Sequence, residues 1–345
     1  MASGSSVTIT GGTNMTQVVA GDVIDDADFN NARTNVNTLM GTAADVTTGT
    51  FTESSTFGWG QGGAGVNAAS AGGLVYADNA TGGFKRLQDD VQAMCAFLGQ
   101  TVRTNVGSDV SSSTIVDDTT WSNLMLNVKD CWDNRFSPAG RTSSTGDSAT
   151  RTSAWTSSLV QETTYSWGSE ALLRAYFNGG GRVGMSASRS GGTSSTQNTD
   201  WTNLLSAMGD LYIDYQTGGG SSGTNAGVGL YELTTSYTLL WTKLGSGAYA
   251  SNYFKMYGKV NSTADPTVIT LKAELSDPYT AAAAAAADGA IGPDGVPSTG
   301  DDAAGYTDSI DGTLTINGRR HLPNASGSGF SFTTPTVSSG SITGS

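Results

Sequence analysis

The chain has 345 residues, of which 47 are glycine, 14% are charged and 37% are hydrophobic. This length predicts two or three domains, and the seven Trp, 12 Tyr and 10 Phe exclude a disordered chain, because such side chains need burial. A formal net charge of −13 without a basic stripe excludes nucleic-acid binding through phosphates. We also expect no membrane insertion, since no apolar run reaches the length of a membrane span, and no secretory signal at the N-terminus.

The N-terminal third of the chain predicts short helical modules. Residues 1–20 are polar and predict an extended arm, whereas residues 21–136 repeat a pattern of Asp, an aromatic residue and Asn followed by apolar residues at helical spacing. Asp or Thr ahead of the aromatic residue predicts an N-cap, because its side-chain oxygen can accept a backbone N–H of the first turn. Including one copy beyond residue 136, the aromatic residues that open the modules, and that we predict to be structural, are Phe29, Phe84, Trp121 and Trp201.

The rest of the chain predicts a linker, a β-rich domain and a tail. Residues 137–163 are polar and aperiodic, which favours a linker or long loop. Residues 164–320 predict a β-sandwich-like domain, and the Gly/Ser/Thr/Pro-rich residues 321–345 predict an extended tail that is ordered only when docked on a partner. The predicted fold class is therefore α+β, with N-terminal short-helix modules followed by an antiparallel β-sandwich-like domain that carries one or two packed helices.

The β-rich domain opens with a predicted helix–strand–helix unit. The first helix, 170–177, ends at Gly179 and Gly180, because glycine accepts the left-handed conformation at a helix C-terminus. The second helix is short and amphipathic, and Thr199 or Asp200 is its predicted N-cap.

About seven strands are expected from runs rich in Tyr, Val, Ile, Thr and Trp with alternating polarity. The first hairpin is predicted from 227–234 and 237–244. A second is predicted from 253–261 and 267–275. The full set of predicted strands is 182–189, 210–216, 227–234, 237–244, 253–261, 267–275 and 311–317.

Cysteine and histidine usage argues against catalysis. Cys95 and Cys131 lie at apolar positions of predicted helices, which favours buried free thiols over a disulfide. The single histidine, His321, excludes a Ser-His-Asp triad and a His-based zinc site. With Arg319 and Arg320 it forms the one local basic cluster, which we expect to meet an acidic neighbouring subunit.

Paired carboxylates are the remaining acid–base candidates. Two of the pairs precede or open predicted helices, where they satisfy backbone N–H groups and oppose the helix dipole. A glycosidase would need two carboxylates that face each other across a cleft. We therefore predict no catalytic residue and no cofactor. The pairs are Asp25/Asp26, Asp89/Asp90 and Asp117/Asp118.

An acidic, glycine-rich segment offers a candidate calcium site. Asp288, Asp294, Asp301 and Asp302 alternate with glycines, and calcium binds several carboxylate and carbonyl oxygens on flexible turns. Their spacing does not fit an EF-hand loop. The favoured interpretation is a solvated acidic loop between two strands, with calcium as the alternative.

The sequence ALLRAYFNGGGRVGMSASRSGG followed by TDWTNLLSAMG resembles a segment of virion structural proteins of marine tailed phages, such as cyanophages. The similarity extends over most of residues 21–320. It is carried above all by Phe177, Asn178, Gly179, Gly180, Ser188, Arg189, Gly191, Gly192, Asn198 and Trp201.

The resemblance implies a non-enzymatic structural protein on the exterior of the phage neck or tail, of the fibre or whisker type. Such a protein would be assembled in the host cytoplasm and would contact other virion proteins as a homo-oligomer, either a trimer or a hexamer. The alternative is an adhesin on the phage tail that binds a host-surface polysaccharide as its receptor. A third hypothesis, a glycan-degrading enzyme, would require the facing carboxylates described above.

Overall fold

A computed structural model divides the chain into two compact units. The residues that the structure describes are 4–10, 12–20, 24–41, 58–62, 68–69, 83–107, 116–215, 228–287, 289 and 309–345. Unit 1 comprises the described residues within 1–142, 169–181 and 322–334, and unit 2 those within 143–168, 182–321 and 335–345. The chain therefore passes from one unit to the other after residues 142, 168, 181, 321 and 334.

Helices and antiparallel strands each account for about 30% of the structure, which confirms the α+β class. The helices found there are α1 (Asp26–Met40), α2 (Phe84–Leu98), α3 (Asp118–Asp133), α4 (Glu170–Asn178), α5 (Thr196–Met208) and α6 (Ala281–Ala287). The strands are β1 (Ser6–Val7), β2 (Met15–Thr16), β3 (Arg141–Arg151), β4 (Ser158–Ser166), β5 (Arg182–Ser190), β6 (Leu211–Ile213), β7 (Thr238–Leu244), β8 (Tyr253–Val260), β9 (Val268–Ser276), β10 (Thr313–Pro323), β11 (Thr336–Ser339) and β12 (Thr343–Gly344).

Three amphipathic helices, α1 to α3, supply most of the apolar core of unit 1. Asp25 caps α1 by accepting the N–H of Asp28 at 2.9 Å, and the Asp28 carboxylate accepts the N–H of Asp25 in return. Asp117 caps α3 by accepting the N–H of Thr120 at 2.7 Å. These two caps confirm the predicted role of Asp in the repeated pattern, whereas Gly83 precedes α2 without a side-chain cap.

The described residues of 1–20 are folded and do not form the predicted extended arm. β1 and β2 pair in an antiparallel ladder, and Val7, Ile9 and Met15 are buried in the same apolar cluster as α1 to α3. The prediction was wrong because two strands of two residues each, with few apolar side chains, produce no periodic signal.

The predicted extended tail, 321–345, is also folded. Phe330 and Phe332 pack on Phe97 of α2 with ring centroids 5.3 and 5.4 Å apart, and Trp59 joins the same aromatic cluster of unit 1. Further on, β11 and β12 each pair with β4 in unit 2. The tail is ordered by contacts with distant parts of its own chain, which a Gly/Ser/Thr-rich composition does not record.

Unit 2 contains two antiparallel sheets that pack face to face. One sheet has the strand order β3-β10-β5-β6 and the other β11-β4-β9-β8-β7, with β12 also paired to β4. Tyr165 of β4 donates its hydroxyl to the carbonyl oxygen of Gly184 of β5, a hydrogen bond from one sheet to the other. Gly318 of β10 faces the side chain of Thr163 of β4, so the backbones approach closely there.

Residues 137–163 are not a linker, because they contain β3 and most of β4. The sequence of β3 is RTSSTGDSATR, and most of its side chains are exposed. Its backbone is paired with β10. A strand held by its backbone ladder and lacking apolar side chains has no alternation for a sequence pattern to detect.

The two predicted hairpins have different outcomes. β8 and β9 pair over their whole length, as predicted for 253–261 and 267–275. Within 227–234 the described residues instead form a 3-10 helix, Leu230–Glu232, and β7 pairs with β8. The Glu232 carboxylate accepts the N–H of Gly229 at 3.0 Å, which closes a turn where the composition had indicated a strand.

The second helix of the helix–strand–helix unit, α5, begins earlier than predicted. Ser195 is its N-cap and accepts the N–H of Asn198 at 3.1 Å, so Thr199 and Asp200 lie inside the helix. Trp201 is fully buried, and its ring meets that of Trp155 edge to face at a centroid distance of 4.8 Å. This helix is therefore anchored by its aromatic residue.

We expect Trp201→Ala to lower the free energy of unfolding of unit 2 by about 3–5 kcal/mol, because it removes a fully buried indole and leaves a cavity beside Trp155. Urea denaturation followed by circular dichroism measures the change. Leu244→Ala, at a side chain that is 57% exposed, is the matched control and should stay within about 0.5 kcal/mol of the wild type. Equal stability of both variants would contradict the core role of Trp201.

The glycine turn after α4 gives a second stability prediction. Gly180 has φ of +83°, and a Cβ there would lie 2.8 Å from the carbonyl oxygen of Phe136 and closer still to Pro138. Gly327, also in unit 1, has φ of +82° and open space around its Cβ position. Both alanine variants lose about 1–2 kcal/mol to the left-handed backbone, so Gly180→Ala should cost about 1–3 kcal/mol more than Gly327→Ala in thermal unfolding.

Candidate functional site

The residues that the sequence singles out as structural lie in cores and turns. Phe29, Phe84 and Trp121 are in the apolar cluster of unit 1 and Trp201 is in unit 2, each at most 3% exposed. Gly179 follows α4 directly, with its N–H donated to the carbonyl oxygen of Ala175 at 2.9 Å. Gly180 is the residue that adopts the left-handed conformation. The calcium candidates Asp288, Asp294, Asp301 and Asp302 lie outside the described residues, so that site stays a prediction.

The predicted carboxylate pairs act on their own helices. Hydrogen bonding from the backbone of Asp28 holds the pKa of Asp25 below its usual value. The hydroxyl and N–H of Thr120 do the same to the pKa of Asp117. In α2, burial raises the pKa of Asp90, which pairs with Arg86 at 3.0 Å and is only 8% exposed. These contacts are those of helix caps and i,i+4 ion pairs.

The two cysteines are free, as the sequence predicts. Cys95 of α2 and Cys131 of α3 are both fully buried, with their Sγ atoms 3.6 Å apart. The hydrogen bond with Cys95 and burial raise the pKa of Cys131, whereas the same hydrogen bond lowers the pKa of Cys95. Because both thiols are fully buried, neither is accessible as a nucleophile.

Two buried carboxylates of unit 2 lie close to Asn252. Asp200 and Asp277 are 7% and 4% exposed. With its amide oriented to accept the Nε1–H of Trp201 at 3.2 Å, Asn252 donates to Asp277 at 3.0 Å. Gln197 of α5 also donates to Asp277, and the backbone and hydroxyl of Ser246 both donate to Asp200 at 3.0 Å. Substrate cannot reach carboxylates that are buried and already hydrogen-bonded, so this pair does not supply the two facing carboxylates that a glycosidase requires.

A second polar cluster joins the loop after β5 to the start of β10. Arg189, 5% exposed, pairs with Asp311 at 3.2 Å and donates to Thr202 at 3.1 Å. Asp311 also accepts from the N–H of Thr193 at 3.0 Å and from Asn198 Nδ2 at 2.6 Å. Burial acts to raise the pKa of Asp311, but the hydrogen bonds from Thr193 and Asn198 and the charge of Arg189 outweigh it and lower the pKa below its usual value. Two residues of the phage-like segment, Arg189 and Asn198, therefore hold a loop in place.

The basic cluster near the C-terminus contacts one carboxylate and several polar groups within the chain. Arg319 pairs with Asp210 at 3.1 Å and donates to Ser143 Oγ at 2.8 Å. Arg320 donates to Ser144 Oγ at 3.1 Å. His321 lies 3.9 Å from the same Asp210 carboxylate. Within the chain the acidic partner of this cluster comes from the segment before β6, and the expectation that the cluster meets an acidic neighbouring subunit stays a prediction.

An ordered polar face, which was not predicted from the sequence, lies on the β7–β9 part of unit 2. Along β8, Tyr253, Lys255, Tyr257 and Lys259 alternate with buried residues and share one side of the sheet. Lysine ammonium groups lie over the tyrosine rings, at 4.0 Å for Lys255 over Tyr253 and at 4.3 Å for Lys272 over Tyr257. We call this the Tyr–Lys face and define it as Tyr237, Tyr253, Lys255, Tyr257, Lys259 and Lys272. The alternation of polar or aromatic residues with buried residues in YFKMYGKV could have predicted this face.

No metal centre emerges from the part of the chain that the structure describes, where no three His, Cys, Asp or Glu side chains are grouped so that they could hold an ion. Among the helices described there, none is long and apolar enough to cross a membrane. Comparisons with protein-family models, with curated proteins and with solved structures find no match to the chain. The function of the chain can therefore be inferred only from the geometry of its structure and from the sequence resemblance.

We expect Asp311→Asn to lower the free energy of unfolding of unit 2 by about 1–2 kcal/mol at pH 7, because the buried Arg189 would lose a counter-charge that solvent partly screens. The folded-state pKa of Asp311 is lowered, so its contribution is present above the unfolded-state pKa of about 3.9 and is lost as pH falls through the folded-state value. The difference between wild type and variant should therefore shrink below about pH 4. Urea denaturation at pH 7 and pH 3, with the exposed Asp265→Asn as control, measures it.

Proposed function

We propose that the protein is a non-enzymatic structural component of a tailed-phage particle, located on the exterior of the neck or tail. It acts as a homo-oligomer, a trimer or a hexamer, in contact with other virion proteins. The rotational symmetry of a phage neck and tail favours such an assembly, because one subunit type then fills every equivalent position.

The proposal is carried by the contacts of the residues that resemble those of phage virion proteins. Asn178 donates to the carbonyl oxygen of Gly58 at 3.3 Å, and Arg189 and Asn198 fix the loop at Asp311. Trp201 fills the core of unit 2. Residues shared with a group of particle proteins would be expected to line a cleft if the group were enzymes. Here they hold helices, turns and loops together, as a structural role requires.

The alternative function, a tail adhesin that binds a host-surface polysaccharide, is favoured by a different observation. The Tyr–Lys face is an ordered array of phenols and ammonium groups on one side of a sheet. It plays no part in the aromatic core of unit 1 or in the carboxylate networks of unit 2. An adhesin and a particle component are compatible, because tail proteins occupy positions from which a host surface can be reached.

The test of the structural function is the stoichiometry of the protein in solution and in particles. Size-exclusion chromatography with light scattering should give three or six times the mass of the chain, and antibody labelling of purified particles should mark the neck or tail in electron micrographs. Trp201→Ala should fail to be incorporated, whereas Leu244→Ala should be incorporated normally. A monomer at all concentrations, together with absence from purified particles, would refute the proposal.

A further inference from the structure

The Tyr–Lys face carries three lysines on a chain whose formal net charge is −13, and two glutamates, Glu162 and Glu274, lie beside them. Lys272 lies 3.8 Å from Glu274. For Lys255 and Lys259, no carboxylate among the described residues comes within salt-bridge distance, although Glu274 is directly across from Lys255 in the β8–β9 register. Two ammonium groups of this face are therefore available to an external anion.

These cations are held in fixed positions. Lys255 lies over the ring of Tyr253 at 4.0 Å, and Lys259 over the ring of Tyr237 at 4.3 Å. Lysine on an open surface samples many rotamers, and immobilising it on binding costs free energy. Contact with an aromatic ring removes part of that cost before the ligand arrives, so the face is preorganised for an anion.

The phenols of the face are neutral, and Tyr253 donates its hydroxyl to Glu274 at 3.1 Å. Burial raises the pKa of Tyr237 and of Tyr257, and the nearby Glu162 and Glu274 carboxylates act in the same direction. Both phenols thus keep their proton at any physiological pH. A ligand that suits the face must supply negative charge for the ammonium groups and hydroxyl or carboxyl oxygens for the phenols.

The spacing of the groups points to a linear ligand of low charge density. Residues four apart in a strand are about 13 Å apart, which is the separation expected between Lys255 and Lys259 and between Tyr253 and Tyr257 along β8. A nucleic-acid strand carries one charge about every 3.4 Å, far more than two such cations can offset against an acidic protein. A chain of sugars with one carboxylate in every residue or two matches the spacing better.

A protein surface fits the face less well. The cores of protein–protein interfaces are depleted of Lys and Glu, yet these residue types are five of the eight when Glu162 and Glu274 are counted with the face. A saccharide, in contrast, carries many hydroxyl groups, which can donate to Glu162 and Glu274 and accept from tyrosine.

We propose that the Tyr–Lys face binds a linear acidic polysaccharide, whose carboxylates pair with Lys255 and Lys259 and whose hydroxyl groups hydrogen-bond to Tyr253 and Tyr257. This proposal goes beyond the structural function and does not depend on it. Recognition is ionic and hydrogen-bonded, so binding weakens as salt screens the charges.

Isothermal titration of the full chain with alginate, a linear polyuronate, tests the proposal, with uncharged dextran of equal length as the ligand control. The double variant Lys255→Gln/Lys259→Gln should lower the affinity for alginate about tenfold, since it removes two ion pairs. The matched control is Lys85→Gln/Lys129→Gln, which loses the same charge from α2 and α3, where each lysine pairs with an aspartate. Circular dichroism should show that all variants are folded. Sedimentation should show that their oligomeric state is unchanged.

Each other outcome overturns the proposal. Absence of alginate binding by the wild type, or equal binding of dextran, would remove the ligand class. An equal loss in both double variants would reduce the effect to net charge. Equal binding of a single-stranded oligonucleotide would make the face a general polyanion site, and a change in sedimentation of the Lys255→Gln/Lys259→Gln variant would make it a contact between copies. Loss of alginate binding without change of assembly leaves the structural function intact, so the two proposals fail separately.

Discussion

Unit 2 depends on the burial of two carboxylates, those of Asp200 and Asp277. A buried carboxylate is stable only where donors surround its oxygens. Here the donors come from α5, from the segment before β8 and from the residues that follow β9. Asn252 and Trp201 complete the network, so the aromatic core and the polar network share one residue. Any movement of α5 would leave a buried charge without a partner, which fixes the helix relative to the strands.

Each of the two units is also assembled from segments that lie far apart in the chain. Unit 1 takes its α4 segment and the aromatic residues Phe330 and Phe332 from positions far beyond residue 142. Unit 2 in turn takes β11 and β12 from the end of the chain. Neither unit is a continuous stretch of sequence, so boundaries drawn from changes in composition could not coincide with them. Cutting the chain at the predicted linker would remove β3 from its sheet.

Most charged side chains discussed above are engaged inside their own unit. Aspartates cap helices, Arg189 and Arg319 hold loops and strands, and the buried carboxylates bind α5. Pairing of charges within each unit is what the proposed role as a particle component requires, because such a component must keep a stable structure. The Tyr–Lys face differs from these charged groups, because Lys255 and Lys259 contact aromatic rings rather than carboxylates. The proposed structural role and the proposed binding face therefore depend on separate sets of residues.

By itself, the sequence determined the features whose signal is local. Helical periodicity and Asp caps located α1 and α3, alternation located β8 and β9, and apolar positions predicted the buried thiols of Cys95 and Cys131. Only the tertiary structure decided the fate of β3, of the two-stranded β1–β2 sheet and of the C-terminal residues. Their order comes from backbone ladders and aromatic contacts with segments far away in the chain, and such pairing leaves no periodic trace in the residues that take part. Which lysines lie over which rings was likewise decided by strand register, since a shift of one residue would turn each side chain to the other face of the sheet.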